Sequence, residues 1–250
     1  MSFGNKIVIV TGSSRGIGKA TALTFARLGA DVVVNCSKSI QEAELVVEEI
    51  RGIGQGAIVV RADVSRETDV IEMIDKTLTH FGRIDVLVNN AGIVDDKPFM
   101  DKTSDDWLKI LKTNLIGSFL CAKHSYAHLK KNSGSSIVNV VSSNGIDSFC
   151  PDSVDYDASK AGLISLTRNM AAEFAPEVRV NAVAPGWVMT EMNKDLPKDF
   201  VESELKRIYQ NRFAEPGEIA NVIGFLASES ASFMTGSIVK VDGGYGAKGS

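Results

Sequence analysis

Tyr156 and Lys160 stand four residues apart in Tyr156-Asp157-Ala158-Ser159-Lys160, a spacing that puts both side chains on one face of a helix. An ammonium beside a phenol favours the phenolate. The pair therefore predicts a tyrosine whose pKa is drawn below its ordinary ~10, toward the range where it passes a proton at neutral pH. Taken alone, the same two residues describe any solvated helix face, and their meaning depends on what the chain places beside them.

Near the amino terminus, Lys6-Ile7-Val8-Ile9-Val10 has the apolar, β-branched composition of a buried parallel strand. It runs into Thr11-Gly12-Ser13-Ser14-Arg15-Gly16-Ile17-Gly18 and then a helical pattern through Ala20, Leu23, Phe25, Ala26 and Leu28. In a strand, glycine turn and helix of this kind, the backbone comes close to a pyrophosphate. The first helical N–H groups and the helix dipole then hold the anion. Gly12, Ser14, Arg15, Gly16, Ile17 and Gly18 are the candidate contacts. Gly-x-x-x-Gly-x-Gly departs from the Gly-x-Gly-x-x-Gly of most dinucleotide folds. A nucleoside-triphosphatase loop needs Gly-Lys-Ser/Thr, and Ala20 after Gly18-Lys19 excludes it.

Together with Asn89-Asn90-Ala91-Gly92 and the Tyr156/Lys160 pair, the Thr11 to Gly18 segment resembles the short-chain dehydrogenase/reductase family, and the resemblance runs from about Lys6 to Gly244. It implies hydride transfer between a nicotinamide and a carbonyl carbon, with Tyr156 protonating the oxygen in the reducing direction. Lys160 would lower the tyrosine pKa and bind the nicotinamide ribose. The family also uses a serine that hydrogen-bonds the substrate oxygen and an asparagine that holds a proton-supplying water; Asn114 matches the latter. For the serine, counting back thirteen residues from Tyr156 gives Ser143, whereas aligning Ile137-Val138-Asn139-Val140-Val141 and Gly145 gives Ser142. Strand register fixes where a side chain points and a loop absorbs an inserted residue, so Ser142 is preferred and Ser143 is the fallback. The resemblance further implies cofactor contacts at Asp63 and Val64, at Asn90, Ala91 and Gly92, and at Pro185, Gly186, Val188 and Thr190. Asp63 also reads as a turn residue before a helix, Thr190 as a helix cap, and Asn89 as a brace within the sheet.

The second strand bears on which dinucleotide is bound. A site for NAD carries an acid at the end of this strand, where it accepts from the ribose hydroxyls; a 2′-phosphate is repelled there and attracted by Arg or Lys. Val32-Val33-Val34-Asn35-Cys36-Ser37-Lys38 has no acid at Cys36 or Ser37. Arg15 and Lys38 are placed to converge on a phosphate, with Ser37 donating a further hydrogen bond, so NADP(H) is favoured over NAD(H).

The elements that must position these residues follow a regular pattern. Strand-like runs recur at Val32–Asn35, Ala57–Arg61, Ile84–Val88, Ser136–Val141, Val178–Val183 and Ser237–Val241, separated by helix-compatible segments. This predicts a single Rossmann-type α/β domain over residues 1–250, with a doubly wound seven-stranded parallel sheet and helices on both faces. A net charge of −4 argues against a nucleic-acid binder. Cys36, Cys121 and Cys150 form no metal or redox motif and fit a reducing, cytoplasmic compartment. The first strand begins too early for a signal peptide, and no apolar run is long enough to span a bilayer. His80, His124 and His128 read as surface or packing residues, and no metal is expected.

The segments expected to overhang the nicotinamide supply Ile93, Val94, Ile146, Phe149, Trp187, Met189 and Met192, with Asp95, Asp96 and Asp147 nearby. This set favours a ketone on an aliphatic or aromatic skeleton. The overall pattern, including the Met234 to Gly244 ending, resembles the branch of 3-oxoacyl-acyl-carrier-protein reductases. The basic residue that this branch uses to dock its acidic carrier is absent at Ala172 and Glu173, and Lys130 and Lys131 do not make a patch alone, which leaves a general carbonyl reductase or alcohol dehydrogenase open. A non-catalytic NADP(H) sensor is the alternative of another class; the joint presence of Asn114, Ser142, Tyr156 and Lys160 argues for the enzyme. Apolar stripes at Leu115, Phe119, Ala122, Tyr126 and Leu129, and at Leu163, Leu166, Met170, Ala171 and Phe174, suit either burial in the monomer or the helix-to-helix contacts of a homotetramer, which the family commonly forms.

Overall fold

β1 (Ile7–Val10) is buried along its whole length because it is covered on both sides. Val8 and Val10 enter one core and Ile9 the other. β2 (Asp31–Cys36) repeats the alternation, with Val32 and Val34 on the first side and Val33 on the second. Each such side chain contributes about 1.5–3 kcal/mol on burial, so both faces need a helical layer. The computed structural model describes residues 1–148, 150–191, 193 and 196–246. β3 (Ala57–Arg61), β4 (Val86–Asn89), β5 (Ser136–Val140), β6 (Arg179–Pro185) and β7 (Ile238–Val241) complete a seven-stranded sheet in the order β3-β2-β1-β4-β5-β6-β7. Every pairing is parallel, as the strand–helix alternation requires.

One layer is built from α1 (Gly16–Arg27), α2 (Ile40–Ile53) and α8 (Pro216–Ala227), which bring Phe25, Ile50 and Ile223 onto the sheet. The other holds α3 (Glu67–Phe81), α5 (Gly117–Leu129) and α6 (Val154–Phe174), contributing Met73, Leu129 and Met170. α4 (Ser104–Leu111) starts from a Thr103/Asp106 capping box and continues into α5 through a π turn at Lys112–Ile116. α7 (Lys198–Lys206) follows β6.

The strand order reverses between β1 and β4, which opens a crevice at the carboxyl ends of the strands where α/β sheets bind ligands. Thr11 fixes this exit. Its hydroxyl donates to the Val88 carbonyl (3.3 Å) and accepts from the Asn90 and Ala91 amides (both 3.0 Å). The glycine turn, Asn90–Gly92, Ser142 and the turn from Gly186 all leave the sheet at this one edge.

Candidate active site

α1 begins without a side-chain cap and without an acidic residue in its first turn. Its leading N–H groups and positive dipole end are therefore free to hold an anion. The glycines leave space for one. Gly12 has φ +61°, and a Cβ there would stand 2.9 Å from the Ala91 Cα; a Cβ on Gly18 would strike the Gly12 carbonyl oxygen and approach Asn90 Nδ2 to 2.5 Å. Asn90 Nδ2 itself donates to the carbonyls of Thr11 (2.8 Å) and Gly12 (3.0 Å). These residues fit a dinucleotide pyrophosphate.

Asn35 is a part of this cradle that sequence reasoning missed. From inside β2 it accepts the Gly12 amide at 3.1 Å and donates to the carbonyls of Val60 (3.1 Å) and Ala62 (3.0 Å), so the glycine turn is tied to two strands. The signal was a polar residue following the apolar run Val32–Val34.

Arg15, Ser37 and Lys38 are exposed, and Arg15 lines a cleft with Ser14, Lys19, Glu42 and Glu191. A third cation joins them. Arg61, the register partner of Cys36, donates from Nε to the Ser37 carbonyl at 3.3 Å. Asp63 Oδ1 is engaged by the Ser65 amide (3.0 Å) and hydroxyl (2.7 Å), which is the turn role, while its Oδ2 makes no hydrogen bond among the described residues. Val64 is buried against Gly117. Asn89 donates to Ser118 O (3.3 Å) and Asn139 Oδ1 (2.9 Å) as a brace within the sheet.

Pro185 ends β6, and Gly186 lies so close to Asp242 that a Cβ would meet its Cβ at 2.8 Å. Val188 is buried and its carbonyl accepts from Asn193 Nδ2 at 2.8 Å. The Thr190 methyl lies 3.4 Å from a Cβ position on Gly16, and with Gly16 and Ile17 half-buried beside it this turn and the glycine turn form one wall.

Tyr156 and Lys160 project from the first two turns of α6. Ser142, in extended conformation after β5, stands beside the Tyr156 hydroxyl and accepts the Asn144 amide at 3.2 Å. Ser143 is buried at the start of the following turn. Lys160 Nζ lies 5.4 Å from the centre of the Tyr156 ring and donates to the Val140 carbonyl at 2.8 Å. Gly92 sits against both Asn114 and Lys160, its Cβ position being 3.4 Å from Asn114 Oδ1 and 3.5 Å from Lys160 Nζ.

The expectation for the tyrosine pKa is reversed in this structure. Burial pushes Tyr156 up to about 12, and the neighbouring Ser142 hydroxyl opposes that only in part. Burial likewise pulls Lys160 down to about 8. An ammonium that is itself poorly solvated and turned toward Val140 does not dominate the phenol, so desolvation decides both shifts.

Asn114 lies within the π turn, where the helix is locally distorted. Its side chain is fully occupied: Oδ1 accepts from the Ile93 amide (2.8 Å), and Nδ2 donates to the Ile93 carbonyl (2.9 Å) and to Ser159 Oγ (3.0 Å).

The arrangement is that of a dinucleotide cradle opening beside a Ser–Tyr–Lys cluster, and comparison with known proteins agrees. A family model described as enoyl-(acyl carrier protein) reductase matches residues 12–246. The chain belongs to the short-chain dehydrogenase/reductase family. It is 40% identical to a 3-oxoacyl-acyl-carrier-protein reductase FabG of Staphylococcus epidermidis over 241 residues, 96% of this chain and 98% of that one. It is 42% identical to a 3-oxoacyl-acyl-carrier-protein reductase of Synechocystis over 96% of each. Among solved structures, a short-chain dehydrogenase of Burkholderia cenocepacia in complex with NADP superposes with TM-score 0.92 at 31% identity, covering 98% of this chain and 99% of that one. A short-chain dehydrogenase/reductase of Serratia marcescens gives 0.94 at 30%, covering 99% and 100%.

On the substrate side of this short-chain dehydrogenase/reductase, Ile93, Val94 and Asp95 are half-buried, and Ile146, Met189, Asp96 and Asp147 are exposed; Phe149 and Met192 lie outside the described residues. Trp187 is less a pocket wall than a packing centre. It stacks on Phe213 (5.5 Å), meets Phe200 edge-on (5.5 Å) and donates from Nε1 to Glu204 (2.7 Å), which joins α7 to the turn.

The apolar stripes divide. Ala122, Leu129, Leu163, Met170 and Ala171 are buried within the monomer, and Tyr126 stacks on Phe174 at 4.2 Å. Leu115, Ile116, Phe119 and Leu166 are left lining an open groove. His124 Nε2 pairs with Glu67 (2.7 Å) and His80 packs edge-on against Phe81 (4.5 Å). Among the described residues no group of His, Cys, Asp and Glu could hold a metal ion, and no helix is long and apolar enough to cross a membrane.

Proposed function

We propose that this protein uses NADPH to reduce the ketone of a 3-oxoacyl thioester or a related carbonyl compound. The observation that carries this reading is the cluster of Ser142, Tyr156 and buried Lys160 at the mouth of an uncapped glycine cradle. The nicotinamide, when bound, supplies a hydride to the carbonyl carbon. Ser142 and Tyr156 together present hydroxyls to a single substrate oxygen, and Tyr156, held protonated by burial, gives its proton as the alkoxide develops. Lys160 binds the nicotinamide ribose and, as an ammonium, stabilises the phenolate left behind; Asn114 holds the Ile93 backbone and borders the path by which protons reach Lys160.

Gly12, Ser14, Gly16, Ile17 and Gly18 take the pyrophosphate. Asp63 and Val64 take the adenine end, and Asn90, Ala91 and Gly92 the middle of the dinucleotide. Pro185, Gly186, Val188 and Thr190 enclose the carboxamide. Arg15, Ser37 and Lys38, joined by Arg61, favour the 2′-phosphate and hence NADP(H), the dinucleotide bound in the Burkholderia cenocepacia relative. The names of the full-length relatives support a 3-oxoacyl substrate. A second reading rests on exposed Ala172 and Glu173, two positions at which an acidic carrier meets no basic side chain; the substrate is then a ketone free of any carrier. We also read residues 1–250 as one domain, the free cysteines as fitting a cytoplasmic protein, and the Leu115–Phe119–Leu166 groove as a contact of a homotetramer.

Oxidation of NADPH and NADH against a 3-oxoacyl thioester, on a carrier and as the coenzyme A ester, a diketone and an aryl ketone tests the reading. Turnover of the thioester with NADPH preferred is expected. Tight NADPH binding with no turnover of any carbonyl would favour the sensor.

A further inference from the structure

The segment leaving β4 is fastened to α6 and to the turn before it by groups that touch neither cofactor nor substrate in the reaction above. Asn114 grips both backbone groups of Ile93 (2.8 and 2.9 Å), and the Lys97 amide donates to the Asp152 carbonyl (2.8 Å). Between them lies a buried ion pair. All three N–H bonds of the Lys102 ammonium are used, on the Asp95 carbonyl (2.5 Å) and on Asp155 Oδ1 and Oδ2 (2.8 and 2.9 Å). The two side chains are 2% and 0% exposed. Asp155 Oδ1 also accepts the amide of Tyr156 at 2.9 Å, so the chain of bonds runs from the Asp95 carbonyl through Lys102 and Asp155 to the backbone of the proton donor.

An ion pair withdrawn from water this completely gains little net stability over an apolar pair of the same shape, because desolvation offsets the attraction. Its value lies in geometry, since a saturated ammonium fixes each acceptor in direction as well as distance. We propose that Lys102 and Asp155 are positioning residues that hold the 93–97 segment against the first turn of α6, setting the gap in which a substrate carbonyl meets Tyr156. This rests on the reading of Tyr156 as the proton donor.

The Lys102→Met/Asp155→Asn double variant separates placement from stability. It removes both charges together and leaves an amide oxygen to accept the Tyr156 N–H, so no ion is stranded. The expected result is a melting temperature near that of the parent protein, NADPH affinity within about twofold, kcat lower on the order of 10–100-fold with KM raised, and faster amide hydrogen exchange across residues 93–97. Parental kcat with parental exchange would overturn the proposal. Lys102→Met alone strands the Asp155 carboxylate and should be the less stable variant; if it does not fold, the double variant still decides. If the parent protein turns over no carbonyl, the proposed function fails, and hydrogen exchange alone then decides whether the pair holds the segment.

Discussion

Lys160 is 4% exposed, and its one hydrogen bond among the described residues is to the Val140 carbonyl. The fold keeps a lysine where an ammonium is disfavoured, which is expected of a group retained for chemistry. Its folded pKa of about 8 lies below the ordinary 10.5, so between those values the unfolded chain binds the proton more often and stability rises with pH. Tyr156 acts in the opposite sense: with a folded value of about 12 against 10.0, its contribution is complete below pH 10 and is lost as the pH rises toward 12. Lys160→Met is therefore expected to raise stability at pH 7 by up to about 3 kcal/mol, with the gain fading toward pH 10.5 and turnover lost. Thermal melts from pH 7 to 10.5 check this, and a variant less stable at pH 7 would show that the ammonium is better compensated than its surroundings indicate. Asn114 entered through the family resemblance alone, and the Tyr156/Lys160 pairing was legible from its spacing. The direction of the tyrosine shift was not, because it depends on how deeply the ring is buried, which a four-residue separation does not encode.

At the scale of elements, the cofactor cradle is a strand end, a glycine turn and a helix start that brace one another. Gly18→Ala would drive a methyl into the Gly12 carbonyl and Asn90, so it should abolish dinucleotide binding, measured by fluorescence titration, and near-native affinity would show that the turn can open. The cations are spread over three elements: Arg15 at the start of α1, Lys38 after β2 and Arg61 at the end of β3. Replacing all three with Ala should weaken NADPH by about tenfold or more and leave NADH nearly unchanged, since charged hydrogen bonds to the 2′-phosphate contribute ~1.5–3 kcal/mol each and NADH lacks that group. An equal loss for both would refute the assignment. Arg61 escaped the sequence reading because its place depends on the β2–β3 register, Cys36 opposite Arg61, and a strand's register to its neighbour is set in space. Asn35 escaped because its bonds run to the backbone of the glycine turn and of the third strand's end.

For the whole molecule, the seven-stranded parallel sheet was legible almost strand for strand, because a strand buried on both faces must be a continuous apolar run and each return crossover must be helical. The assembly was not, since a helix face packed inside a monomer and one packed on a second copy have the same composition. The structure divides them, burying Leu163 and Met170 and leaving Phe119 46% exposed in a groove with Leu115 and Leu166. If that groove joins copies of the chain, Phe119→Arg should lower the mass in sedimentation without altering NADPH affinity; an unchanged mass would remove the groove from the interface. The central claim, that Tyr156 donates the proton in an NADPH-dependent carbonyl reduction, is tested most directly by NADPH oxidation on a 3-oxoacyl thioester with the parent protein and Tyr156→Phe side by side. The account predicts intact NADPH binding and turnover reduced by about 10²–10⁴-fold in the variant. Turnover close to that of the parent would contradict it.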